Sequence, residues 1–366
     1  MHRIARYIIT LLSLGTLLAL AACGVPGMVP QGHALPAAAP TATPAPLPPL
    51  RLPQDEAPHT DMTEWWYYTG HFRGTDADGA QHQYGFELTF FQVLRGNVAP
   101  IYIGHYAVSD LTRGQFHYDQ RVLPEPNAVL PNGTTTSGFH LAINDWTMRG
   151  LNGYDHLVAS EPDYAIDLDL VSQKPPALHN GNGLITYGIG GFSYYYSRTH
   201  MVVSGTIRDH GVTIPVSGLA WMDHQWGNFI PTAGGGWDWF SLQLSNDVEY
   251  MIYRLRDTQG HILATVGSRI DAQGITTEVP GSRINEQPIG SWTSPITHIT
   301  YPAGWRLTLP NGTLTVTPEL ADQELVTTNT TGNTYWEGAC SISGTLDGQS
   351  LSGQGYTELT GYGAGQ

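Results

Sequence analysis

The chain reads EWWYYTGHFR from Glu64 to Arg73. Side chains alternate between the two faces of a β-strand, so Glu64, Trp66 and Tyr68 share one face and the rings between them share the other. Both faces therefore carry large aromatic side chains. Such rings favour strands that are packed against neighbours. The stretch predicts a β-strand that is covered on both sides.

Similar short runs follow along the whole chain. They are rich in β-branched and aromatic residues and alternate with turn signals, at Tyr84–Leu94, Ile101–Asp110, Met201–Arg208, Trp237–Ser245, Glu249–Arg256, Trp305–Leu309 and Tyr335–Gly344. The composition agrees, because the chain has 43 Gly and 25 Pro but only 13% charged residues. Lys174 is its single lysine. The sequence therefore predicts an all-β fold.

Two of the aromatic runs occur in the same arrangement of strands and turns. Glu64 and Trp237 each open an aromatic strand, and each is followed by a turn and a second strand that ends in Leu-Arg. An internal echo of this kind indicates two β-units. We place the boundary so that the N-terminal unit covers residues 55–216 and the C-terminal unit covers residues 217–366.

The charge balance excludes one large class of partner. The 16 Lys and Arg face 31 Asp and Glu, which gives a formal net charge of −15. Binding to phosphate backbones needs a basic face. We therefore expect no nucleic-acid partner.

The first 54 residues indicate export and anchoring. Residues 1–22 begin with two Arg and continue with a short apolar run, as secretory signal peptides do. Small residues precede Cys23, as in a bacterial lipobox, so the Cys23 thiol is predicted to carry a lipid; the alternative is an ordinary signal with a chance cysteine. Residues 23–54 are rich in Pro and Ala and predict an extended tether. We expect an exported, membrane-anchored lipoprotein of the cell envelope, which contacts the membrane through this anchor only.

Cys340 is the second of two cysteines. With Cys23 lipidated, it has no partner for a disulfide. It falls in the β-type run Tyr335–Gly344, so we expect a buried free thiol with a structural role.

Glu64 is the first candidate for chemistry. A carboxylate at the head of a buried aromatic strand is costly unless it is paired, and burial raises its pKa, which suits a proton donor. Trp66, on the same face, would contact a ligand. The alternative is that Glu64 is a structural group that caps the strand through hydrogen bonds.

A second candidate is the sequence Asp223-His224-Gln225-Trp226. In an extended chain, His224 and Trp226 share one face and Asp223 lies on the other. An imidazole beside an indole can polarise a substrate or orient a water molecule, while the alternative is a hydrogen-bonded corner between the two units. The third candidate combines Asp238 with Trp239 on the opposite, mixed aromatic and polar face. Asp238 lies on an apolar strand face, where it is either buried and paired or at the barrel rim.

Other kinds of site lack support in the sequence. The 15 His are scattered without H-E-x-x-H or a close pair, so we expect no metal and no other cofactor. No G-x-S-x-G motif indicates a serine hydrolase. No G-x-G-x-x-G motif opens a helix, so no nucleotide site is indicated.

Several strings occur together in an order that resembles a known family. They are EWWYYTGH from Glu64, SYYYSR from Ser193, WMDHQWG from Trp221, GWDWFSLQL from Gly236, YRLR from Tyr253 and YWEG from Tyr335. In this order they resemble the AttH-type lipocalin-like proteins, the family that includes carotenoid 1,2-hydratase. The resemblance covers about residues 55–362.

The resemblance implies two lipocalin-like antiparallel β-barrel domains packed together and cofactor-free chemistry on apolar substrates. In the hydratase, an acid protonates an isoprenoid double bond and water captures the cation, which aromatic faces stabilise. The hydratases' His-x-Trp pair falls on His224 and Trp226, and their later Tyr falls on Tyr253. The acid expected just after that Tyr is absent, because Arg254 and Leu255 stand there.

These observations predict a protein that acts on an isoprenoid-like or polyketide-like molecule by acid–base chemistry of the hydratase or cyclase type. The alternative is a carrier that binds such a hydrophobic ligand without chemistry. The candidate catalytic residues are Glu64, Asp223, His224 and Asp238, and the candidate ligand-binding residues are Trp66, Trp226, Trp239 and Tyr253. We expect His224 and Trp226 to line one cavity with Trp239 and Tyr253, and at least one of the three carboxylates to reach it.

Overall fold

The computed structural model describes residues 46–95, 98–124, 138–187, 190–229 and 235–363. The predicted signal peptide, Cys23 and the tether up to residue 45 lie outside the described residues. Within the described ranges the chain forms β-strands and short 3₁₀ turns, and none of its helices has the length and apolar character needed to cross a membrane. The prediction of an all-β fold is confirmed.

The first sheet contains twelve strands, and most neighbours in it are also neighbours in sequence. Its order is β4-β3-β2-β1-β12-β11-β8-β7-β6-β5, with β9 and β10 paired to β11. The strands are β1 Thr63–Thr75, β2 Gln81–Arg95, β3 Val98–Asp110, β4 Gln115–Pro124, β5 Phe139–Ile143, β6 Trp146–Leu151, β7 Tyr154–Ser160, β8 Tyr164–Ser172, β9 Ala177–Leu178, β10 Leu184–Thr186, β11 Phe192–Asp209 and β12 Val212–Gly227.

The first sheet curls into a nearly closed barrel. Its edge strands β4 and β5 contact each other, so the sheet folds back on itself. Alternate residues of most strands fill the interior, among them Trp66, Tyr68 and Trp146, all nearly fully buried. Closure removes most of the exposed sheet edge.

The second sheet contains ten strands around its own core. Its order is β16-β15-β14-β13-β24-β23-β21-β20-β17, with β22 paired to β23, and β18 and β19 form a separate hairpin. The strands are β13 Gly236–Leu244, β14 Glu249–Arg256, β15 Ile262–Ile270, β16 Thr276–Val279, β17 Asn285–Pro288, β18 Ser291–Thr293, β19 Thr300–Pro302, β20 Trp305–Leu309, β21 Gly312–Pro318, β22 Glu324–Thr327, β23 Asn333–Leu346 and β24 Gln349–Leu359.

The two sheets pack through the outer faces of β1 and β12. Tyr67 and Trp221 on these faces contact Trp239 and Tyr356 of the second sheet in a separate hydrophobic cluster. A Cβ atom at Gly85 would lie 2.6 Å from the Tyr356 hydroxyl, so the close approach of the sheets requires a glycine there. The strand at Glu64–Arg73 is therefore covered on both sides, as its sequence predicts.

The predicted boundary between residues 216 and 217 falls inside β12. All of β12, up to Gly227, pairs with β1 and β11 of the first sheet. The division between the two sheets therefore lies after Gly227. Whether the two sheets are independent domains stays a prediction.

Lys174 joins the two sheets at one point. Its Nζ donates to both carboxylate oxygens of Glu249, at 2.9 and 2.7 Å, and to the carbonyl oxygens of Asp247 and Asp271, at 2.6 and 2.9 Å. The exposed fractions of the Lys174 and Glu249 side chains are only 6% and 1%. The only lysine of the chain is thus buried as an ion pair.

Cys340 is a buried free thiol on β23, as predicted. Burial raises the pKa of this thiol far above its usual value. We therefore expect the folded protein to resist alkylation by a thiol reagent at neutral pH, because both access and the thiolate are lacking. Mass spectrometry of protein treated with iodoacetamide, with and without denaturant, measures this; rapid labelling of Cys340 in the native protein would contradict it.

Candidate functional site

Glu64 and His224 lie inside the first barrel, near one end. Glu64 and His224 are on the adjacent strands β1 and β12, where Trp66 pairs directly with His224 and Glu64 pairs with Trp226. Oε1 of Glu64 lies 2.8 Å from Nε2 of His224 and 2.8 Å from Nδ1 of His59. His59 comes from the segment before β1. We call His59, Glu64 and His224 the barrel-end cluster.

Stacked aromatic rings enclose the barrel-end cluster. The ring centroids of Trp66 and His224 are 4.6 Å apart, and those of His59 and Trp226 are 4.1 Å apart with nearly parallel planes. Tyr194 stacks on the same Trp226 ring. The sequence expectation that His224 and Trp226 share a face is confirmed.

The electrostatics of this cluster do not suit a proton donor. Burial alone would raise the pKa of Glu64, but the hydrogen bonds with His224 and His59 outweigh it and leave that pKa below its usual value. Burial lowers the pKa of His224 to about 4, against the opposing effect of Glu64. At neutral pH the carboxyl is therefore ionised and the His224 imidazole is neutral.

A second site lies between the two sheets. It is a cavity of about 70 Å³ with largely aromatic walls. Its lining comes from the outer face of the first sheet and the facing side of the second, and consists of Trp65, Tyr67, Glu87, Thr89, Phe91, Tyr195, Asp223, Gln225, Phe229, Trp237, Trp239, Tyr253, Tyr335 and Glu358. We call this space the inter-sheet cavity.

Three carboxyl groups line the inter-sheet cavity. Burial raises the pKa of Asp223 to about 7 and that of Glu87 to about 7, although hydrogen bonds to both groups oppose it. Burial, reinforced by the charges of Glu87 and Asp223, raises the pKa of Glu358 to about 8, against a hydrogen bond from Trp237. These groups therefore hold protons at a pH where ordinary carboxyl groups are ionised.

Hydrogen bonds distinguish the three carboxyl groups. Asp223 accepts from the Tyr195 hydroxyl at 2.6 Å, from the Trp221 indole at 2.6 Å and from the Ser197 hydroxyl. Asp223 is therefore held by protein donors at both oxygens.

Glu87 and Glu358 are less constrained. Oε1 of Glu87 accepts from Thr89 at 2.7 Å and from Tyr335 at 3.2 Å, whereas its buried Oε2 has no protein partner. Oε2 of Glu358 accepts from the Trp237 indole at 2.8 Å. Both residues line the cavity, so each has a carboxyl group available to a guest molecule.

The expectation that His224 and Trp226 share a cavity with Trp239 and Tyr253 is wrong. Asp223 faces the inter-sheet cavity with Trp239 and Tyr253, while His224 and Trp226 point into the barrel. The physical reason is the two-residue period of β12, which sends neighbouring side chains to opposite faces. Of the three candidate carboxylates, Asp223 alone reaches the cavity.

Asp238 belongs to neither site. It is buried on the inner side of the second sheet, where it accepts from Arg256 and from the Tyr362 hydroxyl, each at 2.9 Å. This arrangement is a paired structural group. It corresponds to the paired and buried alternative that its apolar strand face allowed.

Sequence reasoning missed Glu87, Glu358 and His59. Glu87 shares its strand face with Thr89 and Phe91, so the alternation argument applied to Glu64 would have found it. Glu358 also lies within a β-type run, but the residues around it in sequence do not indicate that it lies near Glu87 in the folded protein. His59 gives no signal in its own segment, because its partners come from β1 and β12.

Two groups among the described residues could hold a metal ion by proximity. They are His59, Glu64 and His224, and a more exposed group of His117, Glu161 and Asp163. The sequence predicted no metal because its histidines show no metal-ligand spacing along the chain. Residues that are far apart in sequence but meet in the fold give no such spacing. That expectation stays a prediction.

A wider groove of about 710 Å³ lies elsewhere between the sheets, beside His71 and Gln354. Its carboxylates, Asp247 and Glu319, are solvent-exposed. Exposed carboxylates are poor proton donors at neutral pH. The smaller inter-sheet cavity is therefore the better candidate for acid–base chemistry.

Comparisons with solved structures agree with the fold. An AttH protein from Nitrosomonas europaea is 31% identical, with a TM-score of 0.76 over 87% of this chain and 98% of that one. Kievitone hydratase from Nectria haematococca has a TM-score of 0.68 over 86% of this chain and 93% of that one, at 18% identity. The second likeness concerns the fold alone.

Sequence comparison points in the same direction. Kievitone hydratase from Fusarium solani subsp. phaseoli is 24% identical over 212 residues, which are 55% of this chain and 58% of that protein. The match thus spans little more than half of that relative. The AttH-like family matches residues 43–362, nearly the whole length outside the N-terminal segment. The chain therefore belongs to the AttH-like family.

Proposed function

We propose that the protein is a hydratase that adds water to a carbon–carbon double bond of an apolar substrate in the inter-sheet cavity. The observation that carries this proposal is a set of carboxyl groups with raised pKa values facing a small aromatic cavity. A carrier needs no such acids, whereas protonation of an alkene does. The sequence likeness to kievitone hydratase from Fusarium solani subsp. phaseoli supports the same reaction class.

The reaction needs one acid and one base. A protonated carboxyl gives its proton to one alkene carbon, and the positive charge develops on the other carbon. Water bonds to that carbon and gives a proton to a carboxylate. The net change is the addition of one water molecule, and the two carboxyl groups exchange protonation states before the next cycle.

We assign the acid to Glu358 and the base to Glu87. Of the cavity carboxyls, Glu358 has the pKa raised furthest, to about 8, so it holds its proton at neutral pH. Oε2 of Glu87 has no protein partner and can accept the proton of a water molecule. Asp223, held by three donors, orients Tyr195 beside the cavity.

The aromatic walls suit a cationic intermediate. The faces of aromatic rings attract positive charge, more strongly in a desolvated site. Trp239 lies between Tyr253 and Glu358 in adjacent strands of the second sheet, so an indole flanks the proposed acid. This reaction requires no cofactor.

The size of the cavity limits the part of the substrate that enters. A single water needs about 10–15 Å³ and a site that encloses a drug-sized ligand about 300–1,000 Å³. A cavity of about 70 Å³ therefore fits the unsaturated end of an aliphatic chain together with water. We infer that only the reacting end of an isoprenoid-like or polyketide-like substrate is enclosed.

The proposal is tested with water labelled with ¹⁸O. The full-length protein is incubated with a panel of linear isoprenoids and prenylated aromatic compounds, and products are analysed by mass spectrometry. We expect at least one alkene to gain one labelled water at a rate that depends on protein concentration. Tight binding of the same compounds without any labelled product would instead favour the carrier.

We also propose that the protein is an envelope lipoprotein anchored through Cys23. Lipid chains bind membranes through burial of their CH₂ groups. Cys23→Ser should therefore abolish lipidation and move the protein from the membrane fraction to the soluble or unprocessed fraction. Cys340→Ala, which keeps the lipobox, is the matched control. Cys23→Ser protein that still partitions into detergent like the parent would disprove the anchor.

A further inference from the structure

The barrel-end cluster contains metal-ligating atoms that the proposed reaction does not use. Nδ1 or Nε2 of His59 and His224 and a carboxylate oxygen of Glu64 all lie within 4.8 Å of one another. The side chains of Glu64 and His224 are fully buried, and that of His59 is 19% exposed. His59 therefore forms the solvent side of a convergent set of two imidazoles and one carboxylate.

The carboxylate of Glu64 has histidine partners but no lysine or arginine partner in the described part of the chain. Its oxygens contact the two imidazoles, the backbone N–H of His59 at 2.8 Å and the side-chain amide of Gln92 at 3.2 Å. None of these groups is an ammonium or a guanidinium. Buried charges in proteins are paired or coordinate metals. The two imidazoles beside Glu64 are themselves metal-ligating groups, so a divalent cation held among the three side chains would pair the buried carboxylate.

The second nitrogen of each imidazole faces an oxygen. Nδ1 of His224 lies 3.3 Å from the Tyr196 hydroxyl, and Nε2 of His59 lies 3.8 Å from a carboxylate oxygen of Asp55. Metal-binding histidines nearly always donate their other ring N–H to an oxygen, which fixes the tautomer and the ring orientation, and His224 has a partner of this kind within hydrogen-bond distance. Both histidines are thus oriented with the other nitrogen towards Glu64.

We propose that His59, Glu64 and His224 bind a divalent transition-metal ion such as Zn²⁺. Two imidazoles and a carboxylate are a donor set that suits Zn²⁺, with bonds of about 2.0–2.2 Å. Ligand atoms of a tetrahedral site with such bonds are about 3.4 Å apart. The carboxylate therefore has to withdraw from the two nitrogens by about half an ångström.

The ion would tie an N-terminal segment to the barrel. Residues 48–62 precede β1 and already bind the barrel end, since the Trp66 indole donates to the Glu56 carbonyl and Arg198 pairs with the Glu56 carboxylate. His59 belongs to this segment, whereas Glu64 and His224 belong to β1 and β12. Coordination would add a cross-link between the segment and the sheet.

The test measures Zn²⁺ binding directly, without any assay of turnover. Chelator-treated full-length protein is titrated with ZnCl₂ in a calorimeter, and Co²⁺ is used as a spectroscopic probe of imidazole coordination. We expect one saturable site, a higher melting temperature with Zn²⁺, and visible Co²⁺ bands. Absence of saturable binding by the parent protein would overturn the proposal.

Three variants locate the ion. His59→Asn should lower the Zn²⁺ affinity by more than about 100-fold, and Tyr196→Phe should lower it by about 10–100-fold, the range for partners of a ligand. His117→Asn alters the other His and carboxylate group and should bind as the parent does. Melting curves without metal check that the variants fold. Unchanged binding by His59→Asn, or loss of binding in His117→Asn, would overturn the assignment.

Discussion

Glu358→Gln should lower the kcat of hydration by about 10²–10⁴-fold, the usual contribution of a general acid. The amide keeps the size of the side chain but has no acidic proton to give to the alkene. Ligand binding should survive, because the aromatic walls remain. Steady-state kinetics on the substrate identified by ¹⁸O labelling measures the effect, together with a binding titration.

The pH profile should separate the acid from the base. The rate should fall as the pH rises through about 8, where Glu358 loses its proton, and as the pH falls through about 7, where Glu87 gains one. The Glu87→Gln variant should lose the acidic limb, and residual activity of Glu358→Gln should lose the alkaline limb. A profile unchanged in both variants would refute these roles.

Glu337 provides a matched control. Burial also raises the pKa of Glu337, and it accepts from the Tyr67 hydroxyl at 2.8 Å, but it does not line the cavity. We expect Glu337→Gln to retain turnover within a few-fold of the parent. Equal losses in Glu337→Gln and Glu358→Gln would indicate a general effect on packing instead of catalysis.

Lys174→Met should lower the free energy of unfolding by about 3–5 kcal/mol, the cost of removing one partner from a buried ion pair. The change leaves the Glu249 carboxylate buried, with His200 and Thr199 as its remaining side-chain contacts. Urea denaturation followed by tryptophan fluorescence measures the loss.

The control variants distinguish the cost of losing the ion pair from the cost of losing side-chain packing. Lys174→Met combined with Glu249→Gln should recover part of the loss, since no unpaired charge remains. His261→Ala breaks the exposed pair with Asp257 and should cost less than about 1 kcal/mol. A loss below about 1 kcal/mol in Lys174→Met would contradict the inferred role of this contact.

Much of the fold follows from local patterns. The alternation in Glu64–Arg73 predicts a strand with two covered faces, and both faces are indeed packed. The same rule predicts that His224 and Trp226 point to one side and Asp223 to the other. The alternation does not predict which part of the protein packs against each face of the strand. Strand pairing and sheet packing decide that, and they depend on residues far away in the chain.

The candidate site was harder to predict for the same reason. Glu87 on β2 and Glu358 on β24 meet only because two separate sheets pack face to face. The resemblance to the hydratases directed attention to His224 and Trp226, which lie in the barrel. The raised pKa values are also properties of burial, and burial is known only once the second sheet is in place.

Lys174 is the only lysine in the chain. Its ammonium group is held between the sheets, so the folded protein offers no exposed lysine to reagents that acylate primary amines. Acylation at this position requires the two sheets to separate locally. The rate at which an amine-reactive dye labels Lys174 would therefore report how often this contact between the sheets opens. No residue has to be introduced for labelling.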